Sequence, residues 1–149
     1  IAIAPAISPS VRANAAAYAA KLDALDAEIK TQVAALPPAQ RKLVTNHDAL
    51  GYFAKRYGFT IIGVVIPGAG GSAAPSAKEI QALVDTIKAN KVKAVFTETG
   101  MNPALAQAVA QESGAVVIDN LYVDTLDDAA PTYLDMMRYN TQKIVKGEE

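Results

Sequence analysis

The 149-residue chain has no cysteine, no tryptophan and a single histidine, His47. Without cysteine these residues hold no disulfide, no thiolate metal site, no cysteine nucleophile and no lipidated N-terminal cysteine. One histidine excludes a two-histidine zinc motif and confines imidazole chemistry to one position. An excess of either charge is missing too. The 14 basic and 15 acidic side chains leave a formal net charge of −1, which gives no electrostatic case for nucleic acid or an anionic membrane surface. No apolar run approaches the roughly 20 residues of a membrane span. The opening Ile1–Ile7 is too short, and lacks the basic flank, for a signal peptide, so neither a signal nor an anchor segment is expected in this stretch. What is present is apolar material: 51% of residues are hydrophobic against 19% charged, enough to bury a core and to exclude wholesale disorder. The length is that of one ordinary domain of roughly 100–150 residues, and two full lobes would not fit.

The first element follows Pro9, with Ser8 as its cap. Val11, Ala15, Tyr18, Leu22, Leu25, Ile29, Val33 and Leu36 recur every three or four positions, one stripe of a helix that Pro37-Pro38 ends. About 27 residues at roughly 1.5 Å each make a rod of about 40 Å. Such a helix runs past the body it packs on and can serve as a strut.

After Pro38 the pattern alternates. Lys42–Asn46 reads as a strand and Asp48–Tyr57 as a helix ending at Gly58. Phe59–Ile66 is a continuous apolar run of the kind buried on both faces. The loop Pro67–Pro75 carries Gly68, Gly70 and Gly71, after which Ser76 and Glu79 form a capping box for the next helix. Val92–Thr97 is the third strand, Pro103–Glu112 a helix capped by Asn102, Ala115–Asp119 the fourth strand, and Thr132–Val145 the last helix. Four strand–helix alternations predict an α/β fold, a four-stranded parallel sheet with helices on both faces, preceded by the long N-terminal helix.

In an open parallel sheet, ligands bind beyond the carboxyl ends of the strands. His47 ends the first strand, Glu98 ends the third, and Asp124 lies in the loop after the fourth, so all three are expected along one edge. Imidazole with carboxylate suits zinc, manganese or iron, and it equally suits a general base with its orienting acid. A lone histidine also serves as a cap or a carbonyl partner. Asp124 competes with Asp119, Asp127 and Asp128, and Asp127-Asp128 reads as a solvated turn. Glu98 also suits the N–H groups of the next helix. The glycine stretch Gly68–Ser72 fails as a phosphate loop, because Ser72–Pro75 separates it from the helix and no Gly-Lys-Ser/Thr follows. Tyr133, Met136, Met137 and Tyr139 recur at helical spacing and read as core. An enzyme using His47 as general base, and an interaction module presenting the long helix, therefore stay open beside a metal receptor.

The run Leu43-Val-Thr-Asn-His-Asp-Ala-Leu-Gly-Tyr-Phe-Ala-Lys-Arg-Tyr-Gly58 resembles the opening of the C-terminal lobe of zinc/manganese solute-binding proteins of ABC importers, the cluster A-I family. Pro75-Ser-Ala-Lys-Glu-Ile80, Val95-Phe-Thr-Glu98 and Tyr133-Leu-Asp-Met-Met-Arg-Tyr-Asn140 are similar to family stretches in the same order. The long helix resembles the one that joins the two lobes there, so the resemblance spans about Asn14 to Val145.

The resemblance implies a division into a connecting helix with its N-terminal extension, residues 1–38, and an α/β metal-binding lobe, residues 39–149. It implies that His47 and Asp124 are the lobe's two metal ligands, with Glu98 supporting them and not ligating. The other two ligands belong to an N-terminal lobe that this stretch does not contain. It further implies a non-enzymatic receptor, periplasmic or otherwise extracytoplasmic in a bacterium, that captures a divalent metal for a membrane permease. Zinc leads over manganese because imidazole at position 47 suits it, whereas glutamate there favours the harder ion. A site with one imidazole and one carboxylate leaves two positions to water, so weak binding is expected of this half alone. A helix meant for two lobes and packed on one leaves apolar surface for another contact, including a homodimer.

Overall fold

A computed structural model describes residues 9–67 and 74–149. Ser8, the opening Ile1–Ile7 and the glycine stretch from Gly68 lie outside the described residues. The elements, in chain order, are α1 (Pro9–Ala34), β1 (Lys42–Thr45), α2 (Gly51–Tyr57), β2 (Thr60–Val64), α3 (Ala77–Asn90), β3 (Ala94–Glu98), α4 (Ala104–Ser113), β4 (Val116–Leu121) and α5 (Tyr133–Glu148), with a 3-10 turn at Pro38–Gln40. The strands form one four-stranded sheet in the order β2-β1-β3-β4, with every pairing parallel.

Side-chain alternation along the central strands builds two cores. Leu43, Ala94 and Phe96 face one side, where they meet Leu25, Ile29 and Val33 of α1, Phe53 of α2 and Ile144 of α5. Val44 and Val95 face the other, against Leu83, Val84 and Ile87 of α3 and Ala106, Val109 and Ala110 of α4. Local chemistry sets the ends of the helices. Ser76 and Glu79 form the expected reciprocal capping box at α3. Gly58 ends α2 at φ 76°, a conformation that side chains with a Cβ resist. The α4 start is one residue later than expected: Pro103 takes the cap position, and Asn102 Oδ1 accepts from the Ala104 N–H at 3.0 Å.

Two expectations are corrected. The run Phe59–Ile66 is not buried on both faces. Its β2 segment is an edge strand, with Thr60 exposed and Ile61 to Val64 only half-buried. The doubly covered strand is β3, buried at all five positions. An apolar run records contact with helices, and β2 has that contact through α2 and α3 without a second neighbouring strand. Gly63 marks how close α3 comes, since a Cβ there would stand 2.5 Å from Leu83 Cδ1. The second correction concerns Asp48–Tyr57, where the helix begins only at Gly51. Residues 46–49 turn instead, the His47 carbonyl accepting from Thr45 Oγ1 at 2.7 Å and from the Ala49 N–H at 3.1 Å.

The long α1 behaves as its length implies. Its buried residues are Leu25, Ile29 and Val33, all in the second half. Val11 is 54% and Tyr18 45% exposed, so the first half of the stripe extends beyond the body.

Candidate metal centre

The chain leaves β1 toward β2 on one side and returns through α3 to β3 on the other. The sheet therefore has its switch point between β1 and β3, where crevices form beyond the strand ends. His47 lies just past β1 and Glu98 is the last residue of β3. The structure brings these two together: His47 Nδ1 stands 3.3 Å from Glu98 Oε1. The pair lacks the geometry of a hydrogen bond, and among the described residues Nδ1 and both Glu98 oxygens are buried without a hydrogen-bond partner. Glu98 is 5% exposed, and burial pushes its carboxyl above the ordinary range while the neighbouring imidazole pulls it back. Buried acceptors left unpaired at a switch point fit a site built for a cation or for a protonated imidazole.

Asp124 reaches the same edge by a different route. Between Phe96 and Glu98 the β3–β4 register shifts: Phe96 opposes Ile118 but Glu98 opposes Leu121. Asn120 takes φ 62° within this bulge, a conformation asparagine tolerates better than most residues. The bulge redirects the exit of β4. The Tyr122 hydroxyl then donates to Asp127 Oδ1 at 2.7 Å, and the same oxygen accepts from the Ala129 and Ala130 N–H groups at 2.8 and 3.3 Å. That hydrogen bond pushes the Tyr122 phenol up to about 12 and lowers the Asp127 carboxyl. Asp127-Asp128 is the exposed turn expected of it, closed by the Asp127–Ala130 bridge, and Asp127 serves in addition as a staple of the loop.

Asp124 is exposed on this loop and lines a groove of about 210 Å³ with Leu126, Tyr133 and Met136. The groove shares Val123, Tyr133 and Met136 with a neighbouring one of about 390 Å³ that Tyr52, Tyr57 and Met137 also line. Reading the Tyr133–Tyr139 run as core holds for Met137, which packs against the core beside α1 and α5 while also lining the groove, and is corrected for Tyr133, which is 48% exposed. Among the described residues, no three histidine, aspartate or glutamate side chains converge as a metal cluster, so Asp124 does not complete a three-residue set with His47 and Glu98.

Sequence reasoning missed Asn46 and Asn140. Asn46 is fully buried, and among the described residues neither amide atom has a partner. Asn140 is 3% exposed and binds the Tyr122 backbone. The available signal was a polar residue one turn after Met136 and Met137 on a stripe that is otherwise apolar or aromatic.

Residues 1–147 match the family model described as zinc-uptake complex component A, periplasmic. The chain is 34% identical over 146 residues to the iron-binding protein YfeA of Yersinia pestis, covering 96% of the chain and 46% of that protein. It is 36% identical over 137 residues to the zinc-binding protein TroA of Treponema pallidum, covering 87% and 44%. Among solved structures, the Mn-bound periplasmic metal binding protein of Candidatus Liberibacter asiaticus superposes with a TM-score of 0.86 at 28% identity, over 99% of this chain and 55% of that one. The chain thus spans about half the length of the curated relatives it matches. By the extent of the family match and the identity to its relatives, the chain belongs to the periplasmic zinc-uptake component A family.

Proposed function

We propose that this chain is the C-terminal half of an extracytoplasmic receptor that captures a divalent transition metal and hands it to an ABC permease. The observation that carries the reading is the His47–Glu98 pair at the switch point, with buried nitrogen and carboxylate oxygens lacking hydrogen-bond partners. With Nδ1 turned to Glu98, Nε2 is the nitrogen for the ion, and the carboxylate 3.3 Å from Nδ1 stands on the side from which a metal-bound imidazole is usually supported. Asp124 supplies the second ligand from the loop after β4. The ion is cargo, so the residues hold and release it without bond-making chemistry. The relatives' own descriptions name iron, zinc and manganese. A histidine with one carboxylate favours zinc, with manganese next.

Residues 39–149 form the metal-holding lobe in this reading, and residues 1–38 the connecting helix toward the half that supplies the remaining ligands. The exposed first half of α1 supports that division. A dimer of this chain is the alternative cover for the same surface.

Zinc titration against a competing chelator tests the site. His47→Ala and Asp124→Ala are each expected to weaken binding at least about tenfold, because each removes one of two protein ligands. Asp128→Ala, an exposed neighbour in the same loop, leaves binding unchanged. Affinity retained in either ligand variant contradicts the assignment.

A further inference from the structure

The loop that carries Asp124 is fixed at both ends by side chains outside the proposed ligand set. At its start, Asn140 of α5 holds both backbone groups of Tyr122: Oδ1 accepts from the Tyr122 N–H at 2.9 Å, and Nδ2 donates to the Tyr122 carbonyl at 2.6 Å. Among the described residues the edge strand β4 has no outer neighbouring strand, and the buried carboxamide pairs with both backbone groups of Tyr122 instead. At its far end, the Tyr122 hydroxyl and the Ala129 and Ala130 N–H groups converge on one oxygen of Asp127. Residues 123–126 therefore arch between two fixed feet, and Asp124 is on the arch.

We infer that Asn140 is a positioning residue for the metal ion. By pairing with Tyr122 at both backbone groups, it sets the direction in which the chain leaves β4, and so where the Asp124 carboxylate stands. The inference rests on the reading of Asp124 as a ligand. Its physical content is preorganisation. An exposed loop that had to be ordered by the ion would spend binding free energy on that ordering, and a loop already fixed does not. A buried amide needed only for packing would be satisfied by any two partners. This one is committed to both groups of the residue two positions before the carboxylate.

Manganese titration of the 149-residue chain, followed by NMR, separates positioning from general support. Paramagnetic broadening falls steeply with distance, so it reports which side chains surround the ion even when binding is weak. In the parent chain, signals of His47 and Asp124 broaden together. Asn140→Asp keeps the side chain's shape and an acceptor for the Tyr122 N–H, but it loses the donor to the carbonyl. Asn140→Leu loses both. In each, broadening at His47 and at Asp124 is expected to move together to ~10–100-fold higher manganese, the usual cost of removing a residue that orients a ligand. Tyr122→Phe frees only the far foot and produces a smaller shift of the same kind. Ile144→Val, a core truncation on the same helix, keeps the parent pattern. The inference is overturned if Asn140→Asp and Tyr122→Phe broaden Asp124 as the parent does, or if Ile144→Val reproduces the loss. Absence of broadening at Asp124 in the parent chain instead refutes the ligand reading, and the inference falls with it.

Discussion

Two glutamates, Glu98 and Glu148, are buried at opposite ends of the strands, and their surroundings give them different work. Glu98 has an imidazole at 3.3 Å. Glu148, 1% exposed, sits on the last turn of α5 with its Oε1 unpaired. Burial pushes its carboxyl up to about 7, against the pull of Lys93 and Lys42. Unfolded, the same carboxyl ionises near ~4.3. Between those values the folded chain holds a proton that the unfolded chain has lost. This carboxyl's contribution to stability therefore falls as pH rises from about 4.3 to about 7, and is level above. Glu148→Gln should remove that slope and stabilise the chain above pH 7 by about 1–2 kcal/mol, allowing for screening by water and the lysines. Urea denaturation at pH 5 and pH 8 reads both effects. A parent chain equally stable at the two values contradicts them. His47 and Glu98 were legible as site candidates because strand-end position is a property of sequence once the strands are found. Asn140 was not, because its partner is the backbone of a residue 18 positions away. Spacing on one helix does not reveal such a contact.

At the scale of elements, α1 is the informative case. Arg56 of α2 grips Asp26 with two bonds of 2.8 Å, and Arg138 of α5 reaches Glu28 at 2.9 Å. The guanidinium and Lys30 hold the Asp26 carboxyl well below the usual carboxylate range. These pairs lie at the surface, where water screens them and side-chain ordering offsets the gain. Ile29, by contrast, is fully buried among Leu25, Val33 and the sheet. Ile29→Ala is accordingly expected to cost about 2–5 kcal/mol in chemical denaturation. Val11→Ala, on the exposed half, should stay within about 0.5 kcal/mol of the parent chain. A large loss at Val11 would show that the first half of the helix is buried in solution, against a second copy or another partner. The helix itself, its apolar stripe and the α3 capping box were legible, since each is a short-range pattern. The edge position of β2 was not. Ile61, Ile62 and Val64 look the same in sequence whether one strand or two lie beside them.

For the whole molecule, alternation of strands and helices was enough to predict a parallel sheet, because parallel neighbours need crossovers. Strand order was a different matter. It places the switch point between β1 and β3, and only the tertiary structure shows His47 and Glu98 facing each other across it. The chain spans about half the length of its curated relatives. Whether His47 and Asp124 hold the same ion can be read by anomalous diffraction at the zinc edge from a zinc-soaked crystal. One peak is expected, about 2.0–2.2 Å from both His47 Nε2 and an Asp124 carboxylate oxygen, with Glu98 behind the ring. A peak bound to neither residue, or no peak with the two side chains turned to different faces, would contradict a shared ion.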